Sequence, residues 1–342
     1  MVCLKDNHLL PYELATPFSI GSVPIRNRVI LAPMSGVTDL PFRQLALRHG
    51  AGLVVTEMVA SRELVQDTPE SWARLKSAGL KPHMVQLAGR EAHWMAEAAK
   101  IAADNGADII DINMGCPAKK VIGGYSGSAL MRDPDHALGL IEATVKAVNI
   151  PVTLKMRLGW DENSINAPHI ARRAEEAGVQ LVTIHGRTRM QFYEGRADWD
   201  AIRAVRDVVS VPLVANGDVD TPENAYEILR RSGADAVMVG RGCQGRPWHA
   251  GVLAGHQAPS RDEIADIALE HYHMMLAFYG EAVGIRHARK HLGWYLDRYA
   301  STINGAEKAS IMTSKDCREV AKLLHAALQA GPVSAQSVQE AA

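Results

Sequence analysis

Eight short runs of β-branched and aliphatic residues recur along the first three quarters of the chain, each closed by polar, Gly or Pro positions. They are Val29–Leu31, Gly52–Glu57, Met84–Leu87, Ile109–Asn113, Val152–Met156, Leu181–Ile184, Pro212–Ala215 and Ala236–Val239. Between them the apolar positions switch to helical spacing, as in Glu91–Asn105, Asp135–Val148, Ile165–Ala177, Trp199–Val208 and Pro222–Arg231. Gly106-Ala107, Ala177-Gly178 and Gly233-Ala234 punctuate helix ends, where glycine accepts the left-handed cap. Eight strands alternating with helices predict an α/β fold, a parallel (β/α)8 TIM barrel over about residues 20–255. An open doubly wound sheet has the same alternation, but eight units in this length fit a closed barrel better.

After Pro247 the pattern changes. From Arg261 to about Leu328 the chain is rich in Ala, Leu, His and Arg at helical spacing, with no strand run. The expected organisation is a catalytic barrel over 1–255, a helical domain over 256–330 and a frayed tail over 331–342, which reads GPVSAQSVQEAA. No apolar run reaches the roughly 18–20 residues of a membrane span, and the first twenty residues lack a basic start followed by an apolar block. A cytoplasmic protein with no membrane contact is expected. The four cysteines (Cys3, Cys116, Cys243, Cys317) contain no C-x-x-C pair, which argues against a disulfide framework and against zinc. A net charge of −1 carries no overall basic footprint for nucleic acid. Locally, seven basic residues from Arg286 to Arg318, Arg289 and Lys290 among them, outnumber three acidic ones. A solvated helical face accounts for that count on its own.

In such barrels the working residues sit at the C-terminal ends of the strands. Those positions hold Pro33 and Met34, Glu57, Gln86, Asn113 with Cys116, Lys155 with Arg157, His185, Asn216-Gly217-Asp218, and Gly240-Arg241. Nearly every strand ends in a group able to hydrogen-bond, ionise or expose backbone, which points to an enzyme. The Asn216–Asp218 and Gly240–Gly242 turns fall where barrels commonly bind phosphate, of a cofactor or of a phosphorylated metabolite. Lys155 and Arg157, two apart on a strand, share one face. Two cations there suit the anionic edge of a reduced flavin. A Schiff-base lysine, or a lysine paired with Glu57 or Asp111, is the alternative. Cys116 sits in a Gly/Pro-bounded loop past the fourth run, a setting for a nucleophile or an acid and not for a buried thiol. The Ile122–Ser128 loop beside it has three glycines and reads as a lid, whereas Cys3, Cys243 and Cys317 read as structural. His185 suits an acid, a phosphate contact or a ring contact; no metal is expected, because no second ligand stands at the right spacing. Gln86 offers the donor and acceptor that a flavin or pyrimidine edge requires.

The ordered set Ala32–Asp39, Asn113-Met114-Gly115-Cys116-Pro117, Lys155-Met156-Arg157, His185-Gly186-Arg187-Thr188, Asn216-Gly217-Asp218 and Gly240-Arg241-Gly242 resembles the bacterial tRNA-dihydrouridine synthases, most nearly their DusB-type branch. The resemblance runs from about residue 15 to about residue 325, and Arg289-Lys290-His291 with Trp294-Tyr295 is similar to that family's helical domain. It implies FMN at the barrel mouth, NADPH or NADH as reductant, and a uridine flipped out of tRNA. By resemblance, Pro33, Met34, Gln86, Lys155, His185, Asn216, Gly217, Asp218, Gly240 and Arg241 hold FMN. Asn113 and Arg157 grip the uracil, Cys116 is the acid, and Arg286, Arg289 and Lys290 contact tRNA. No protein partner is implied and a monomer is expected. The competing expectations are an FMN barrel reductase of a free pyrimidine, like a dihydroorotate dehydrogenase, and a non-catalytic RNA-binding barrel.

Overall fold

A computed structural model describes residues 13–118, 121, 123 and 125–330. The expected tail, Cys3 and part of the glycine-rich loop after Cys116 lie outside the described residues. A hairpin of β1 (Phe18–Ile20) and β2 (Val23–Ile25) precedes nine parallel strands: β3 (Val29–Leu31), β4 (Leu53–Val54), β5 (Val59–Ala60), β6 (Met84–Ala88), β7 (Ile109–Met114), β8 (Val152–Arg157), β9 (Val182–His185), β10 (Leu213–Asn216) and β11 (Ala236–Val239). The sheet order is β4-β3-β11-β10-β9-β8-β7-β6-β5. β4 and β5 are two halves of the second stave: β4 pairs with β3, Val55 bridges Met84, and β5 pairs with β6. The ring therefore closes as a (β/α)8 barrel. The Gly52–Glu57 run, expected as one strand, bends out of the ladder at Thr56–Met58 because its two halves serve different neighbours.

Strand parity sorts the side chains into two environments. Val85, Leu87, Ile110, Ile112, Val152, Leu154, Met156, Val182, Ile184, Leu213, Ala215, Val237 and Val239 point outward and pack with helix residues such as Met95, Ile141, Ile170, Ile202 and Ile228. Ile30, Leu53, Val55, Met84, Ile109, Leu181, Val214, Ala236 and Met238 form a separate cluster inside the ring, joined by Ile20 and Ile25 of the hairpin. The hairpin thus plugs the floor with apolar residues. Further up the same inward rows the chemistry turns polar, with Gln86, Asp111, Thr153 and Thr183, then Asn113, Lys155, His185 and Asn216. A dry floor under a polar mouth is the physical basis for placing chemistry at one end only.

Beyond the barrel stand four helices, Arg261–Tyr279, Glu281–Tyr299, Gly305–Thr313 and Cys317–Ala330. A Ser260/Glu263 capping box starts the first. They share their own apolar cluster, which also takes Leu45 and Trp248 from the barrel. Phe42, on the barrel helix Leu40–Arg48, meets the buried rings of His271 and His291 at 5.6 and 5.7 Å. Tyr279 Oη donates to Asp39 Oδ2 at 3.0 Å, and Arg298 Nε donates to the Gln244 carbonyl at 3.0 Å. The helical domain is thereby fixed against the loops at the barrel mouth. Among the described residues no helix is long and apolar enough to cross a membrane.

Candidate active site

One cavity of about 1750 Å³ opens at the C-terminal ends of the strands, and Cys116, Asn113, Lys155, Arg157, Gln86, His185, Asn216, Gly217, Asp218, Gly240, Arg241, Pro33 and Met34 all line it. Every strand-end residue singled out in the sequence for flavin or uracil is therefore brought to one place. The helical-domain residues are not among them: Arg286 is exposed, while Arg289 Nη2 donates to the Thr313 carbonyl at 3.3 Å. Lys290 points elsewhere, since a β-carbon on Gly36 would lie 3.0 Å from its Nζ. That places its ammonium beside the Met34–Thr38 loop. Arg298, in the same basic stretch, reaches the cavity wall.

The floor of the site is a hydrogen-bonded chain. Thr153 Oγ1 and Gln86 Nε2 donate to the two oxygens of Asp111 at 2.6 and 2.7 Å, and Asn113 Nδ2 donates to Gln86 Oε1 at 2.7 Å. Asn113 Oδ1 then accepts from the amides of Gly115 and Cys116 at 3.2 and 3.0 Å. The Cys116 carbonyl accepts from Ser128 N and Oγ at 3.1 and 2.9 Å. The thiol is thus carried on a loop held from both sides, and Cys116 is partly exposed to the cavity. Gly127 makes this approach possible. Its φ is +61°, and a β-carbon there would lie 2.8 Å from the Cys116 carbonyl. By contrast Cys243 is fully buried, and burial pushes its thiol up to about 12.

Lys155 donates to Asn216 Oδ1 at 3.3 Å, and among the described residues its ammonium forms no ion pair with Glu57 or Asp111. Glu57 instead accepts the Gly36 amide. Burial, helped by Arg157, brings the Lys155 ammonium down to about 8. His185 is held neutral, its pKa driven well below the ordinary value by burial and then by Arg157, Lys155, Arg187 and Arg241. Arg157 is buried, and it gives three hydrogen bonds to the protein. Nε donates to the Gly115 carbonyl, and Nη1 to the carbonyls of Thr188 and Phe192, each at 2.8 Å. It ties the Cys116 loop to the loop after β9, and Nη2 is the edge left over.

Several residues of this site have no assignment from sequence. Arg187, one per cent exposed, forks onto Asp218 with Nη1 and Nη2 at 2.9 and 2.7 Å and also holds the carbonyls of Glu194 and Gly195. The Asp218 carboxylate is thus engaged within the protein while the residue lines the cavity, and it also takes the Ala197 amide at 2.7 Å. Tyr193 lies under the guanidinium groups of Arg157 and Arg241, 5.5 and 5.1 Å from its ring centre, at the cavity wall. Asp111 carries a readable signal, two residues before Asn113 on the inward row. Tyr193 and Arg298 carry none, because they reach the mouth through a long loop and a separate domain.

Comparison with known proteins then decides the family. The dihydrouridine synthase (Dus) family model matches residues 30–330. This chain belongs to the dihydrouridine synthase family. A probable tRNA-dihydrouridine synthase of Rhizobium leguminosarum bv. phaseoli is 83% identical over 307 residues, covering 90% of this chain and 97% of that protein. A tRNA-dihydrouridine synthase B of Vibrio vulnificus is 47% identical over 288 residues, covering 82% and 89% respectively. The resemblance read from the strand-end motifs is borne out. Among solved structures, histamine dehydrogenase from Rhizobium sp. 4-9 shares the fold, with a TM-score of 0.55 at 14% identity, over 94% of this chain and 65% of that one.

Proposed function

We propose that this dihydrouridine synthase is a flavin-dependent, cytoplasmic enzyme that reduces the C5=C6 bond of uridines in tRNA, with Cys116 as proton donor. The observation that carries it is the convergence of a loop-held thiol, a half-buried lysine without a carboxylate partner and a cationic arginine edge in one cavity. The residues fit FMN. Gly240 leaves room at the end of β11, where a β-carbon would meet its nearest atoms at 3.6 Å, while Gly217 at the end of β10 lets the backbone pack against His185, and Arg241 stands beside them. Lys155 would neutralise the anionic edge of the ring, with Pro33, Met34, Gln86, His185, Asn216 and the Gly217-Asp218 backbone around it. When bound there, FMN would supply the hydride chemistry at C6 of the uracil, with NADPH or NADH as its reductant. Arg157 Nη2 and the remaining Asn113 Nδ2 hydrogen meet the uracil carbonyls on which negative charge builds. Cys116 Sγ gives its proton to C5.

The free-pyrimidine alternative is not favoured. Arg298 from the helical domain lines the cavity and Lys290 reaches its rim loop, an arrangement suited to a macromolecule drawn over the mouth. Flipping a base out of its stack costs a few kcal/mol, which such additional contacts offset. The direct test is incubation of the purified protein with FMN, NADPH and unmodified tRNA. Dihydrouridine is expected, and reoxidation of the flavin by free uracil or orotate in its place would refute the reading.

Two further outcomes are expected. Flavin affinity of the apoprotein falls as pH rises through about 8, because Lys155 is cationic below that value and neutral above it. Lys155→Met lowers affinity below that pH to the level the wild type reaches above it, which removes the dependence that a fluorescence titration measures. In the helical domain, Arg286→Gln with Arg289→Gln and Lys290→Gln weakens tRNA binding and reduces its salt slope by about 0.7–0.9 for each phosphate no longer neutralised. An unchanged slope would return these residues to a solvated face.

A further inference from the structure

Beside the mouth, three loops are laced together around Trp160. Leu158 N donates to the Arg187 carbonyl at 3.2 Å, Arg189 N to Gly159 and Met190 N to Trp160, both at 2.9 Å, so the loops after β8 and β9 run as a short ladder. Asn166 Nδ2 donates to the Met131 carbonyl at 2.7 Å and brings in the 3-10 turn Gly127–Arg132, the segment whose Ser128 holds Cys116. From two of these loops, the guanidinium groups of Arg132 and Arg189 converge on the Trp160 ring, 4.9 and 5.0 Å from its centre.

Neither cation has a carboxylate partner among the described residues. Elsewhere on the barrel, Arg187, Arg206, Arg231 and Arg246 are paired with Asp218, Asp235, Asp200 and Asp220. Arg189 Nε is shielded from solvent with no hydrogen-bond partner, and Arg189 Nη1 meets the Met190 thioether at 3.3 Å. Two like charges gathered on one ring repel each other, and a partly desolvated guanidinium without an acceptor is costly. The ring's negative face offsets part of that cost and holds both forks in place. What remains is a pair of guanidinium groups held on one ring with no carboxylate to neutralise them, a setting that favours an anion.

We propose that Arg132 and Arg189, organised by Trp160, grip the phosphodiester backbone of the substrate RNA next to the flipped uridine. The proposal rests on the tRNA reading above and names contacts for it outside the helical domain. Position selects the occupant. The loop that carries Arg189 continues within a few residues into Phe192 and Tyr193, both exposed at 41% and 46% and both lining the cavity with Cys116. Phe192 and Tyr193 make this rim one side by which a strand whose uridine sits over Cys116 can leave the cavity. Cations beside exposed aromatic rings match a single-stranded nucleic acid, with phosphates on the former and bases on the latter. An acidic protein segment would use the cations but has no bases for the rings.

The test uses the full chain with bound flavin and an unmodified tRNA transcript, following affinity against salt and steady-state kinetics. Arg132→Gln combined with Arg189→Gln is expected to weaken tRNA binding about ten-fold at low salt and to lower the salt slope by about 1.4, two single-strand contacts. The loss should fall on KM and leave kcat at saturating tRNA. Arg132 is exposed, so Arg132→Gln alone tests the site with half the slope change if the double variant does not fold. Trp160→Leu, which keeps both charges, should give an intermediate loss. Wild-type affinity and slope in the double variant would overturn the proposal, as would weaker binding with an unchanged slope. Failure of the wild-type protein to make dihydrouridine would instead overturn the tRNA reading itself.

Discussion

Cys116→Ala is expected to lower dihydrouridine formation by about 10²–10⁴-fold, the usual loss when a positioned proton donor is removed. Bound flavin and the rate at which nicotinamide reduces it should stay at the wild-type level. The separation is expected because the loop does not depend on the thiol. Its amide is held by Asn113 Oδ1 and its carbonyl by Ser128, so alanine leaves the backbone where it was. The cavity groups assigned to flavin lie at the ends of β3, β6 and β8–β11, and none of them is altered by the substitution. Without a proton at C5 the hydride step has no stable product, and reduced flavin persists in the presence of tRNA. Single-turnover reoxidation of pre-reduced protein by tRNA measures this directly. A variant that makes product at the normal rate would remove Cys116 from the acid role, whereas partial activity in Cys116→Ser would agree with it.

The second large effect is on the fold of the mouth. Asp218→Asn is expected to destabilise the protein by about 3 kcal/mol, the lower end for a broken buried pair. The lower end applies because Arg187 is one per cent exposed while Asp218 keeps 28% of its side chain in solvent, where screening weakens the pair. Asparagine is the informative replacement: residue 218 has φ +57°, and Asn tolerates that left-handed backbone where alanine would add strain. Burial works to raise the Asp218 pKa, but the bond from Arg187, the Ala197 amide and Arg241 outweigh it and hold the carboxyl below its ordinary value. The stabilisation is therefore complete above the ordinary aspartate range and is lost as pH falls through the lowered value. Denaturant melts of Asp218→Asn should show the full deficit at pH 7 and a smaller one at about pH 3, below the ordinary aspartate value. A deficit of the same size at both would mean that poorer packing, and not charge, is responsible. Tyr193 and Phe192 ride on the loop that Arg187 anchors, so KM for tRNA should rise in the same variant.

Much of this architecture is legible in the chain because barrel strands obey a local rule. Inward rows such as Asp111-Asn113 and Thr153-Lys155-Arg157 follow from a two-residue period, and the apolar outward partners mark which face is which. The β1–β2 hairpin is not legible, since two three-residue strands carry no period to count. The second stave looks unbroken in sequence because its division comes from pairing with two different neighbours, a property of the closed ring. Arg187 stands in a motif of evident interest, yet its partner is 31 residues away and nothing local indicates the pairing. The basic stretch from Arg286 to Arg318 illustrates the same limit. Counting treats it as one patch, but Arg298 turns to Gln244 and Lys308 to Asp297, while Lys290 reaches Gly36. Composition along a helix counts charges; the docking of that helix decides where each one points.

The apolar plug of Ile20 and Ile25 beneath the barrel has a consequence for traffic. Among the described residues the floor is sealed, so the donor of reducing equivalents and the RNA would both enter by the mouth. A bulky RNA laid across it shuts out the small reductant, and the reductant in turn must leave before the RNA can seat. Recharging and discharging of the site would then alternate, and an RNA that docks without a reducible base would act as a brake on recharging.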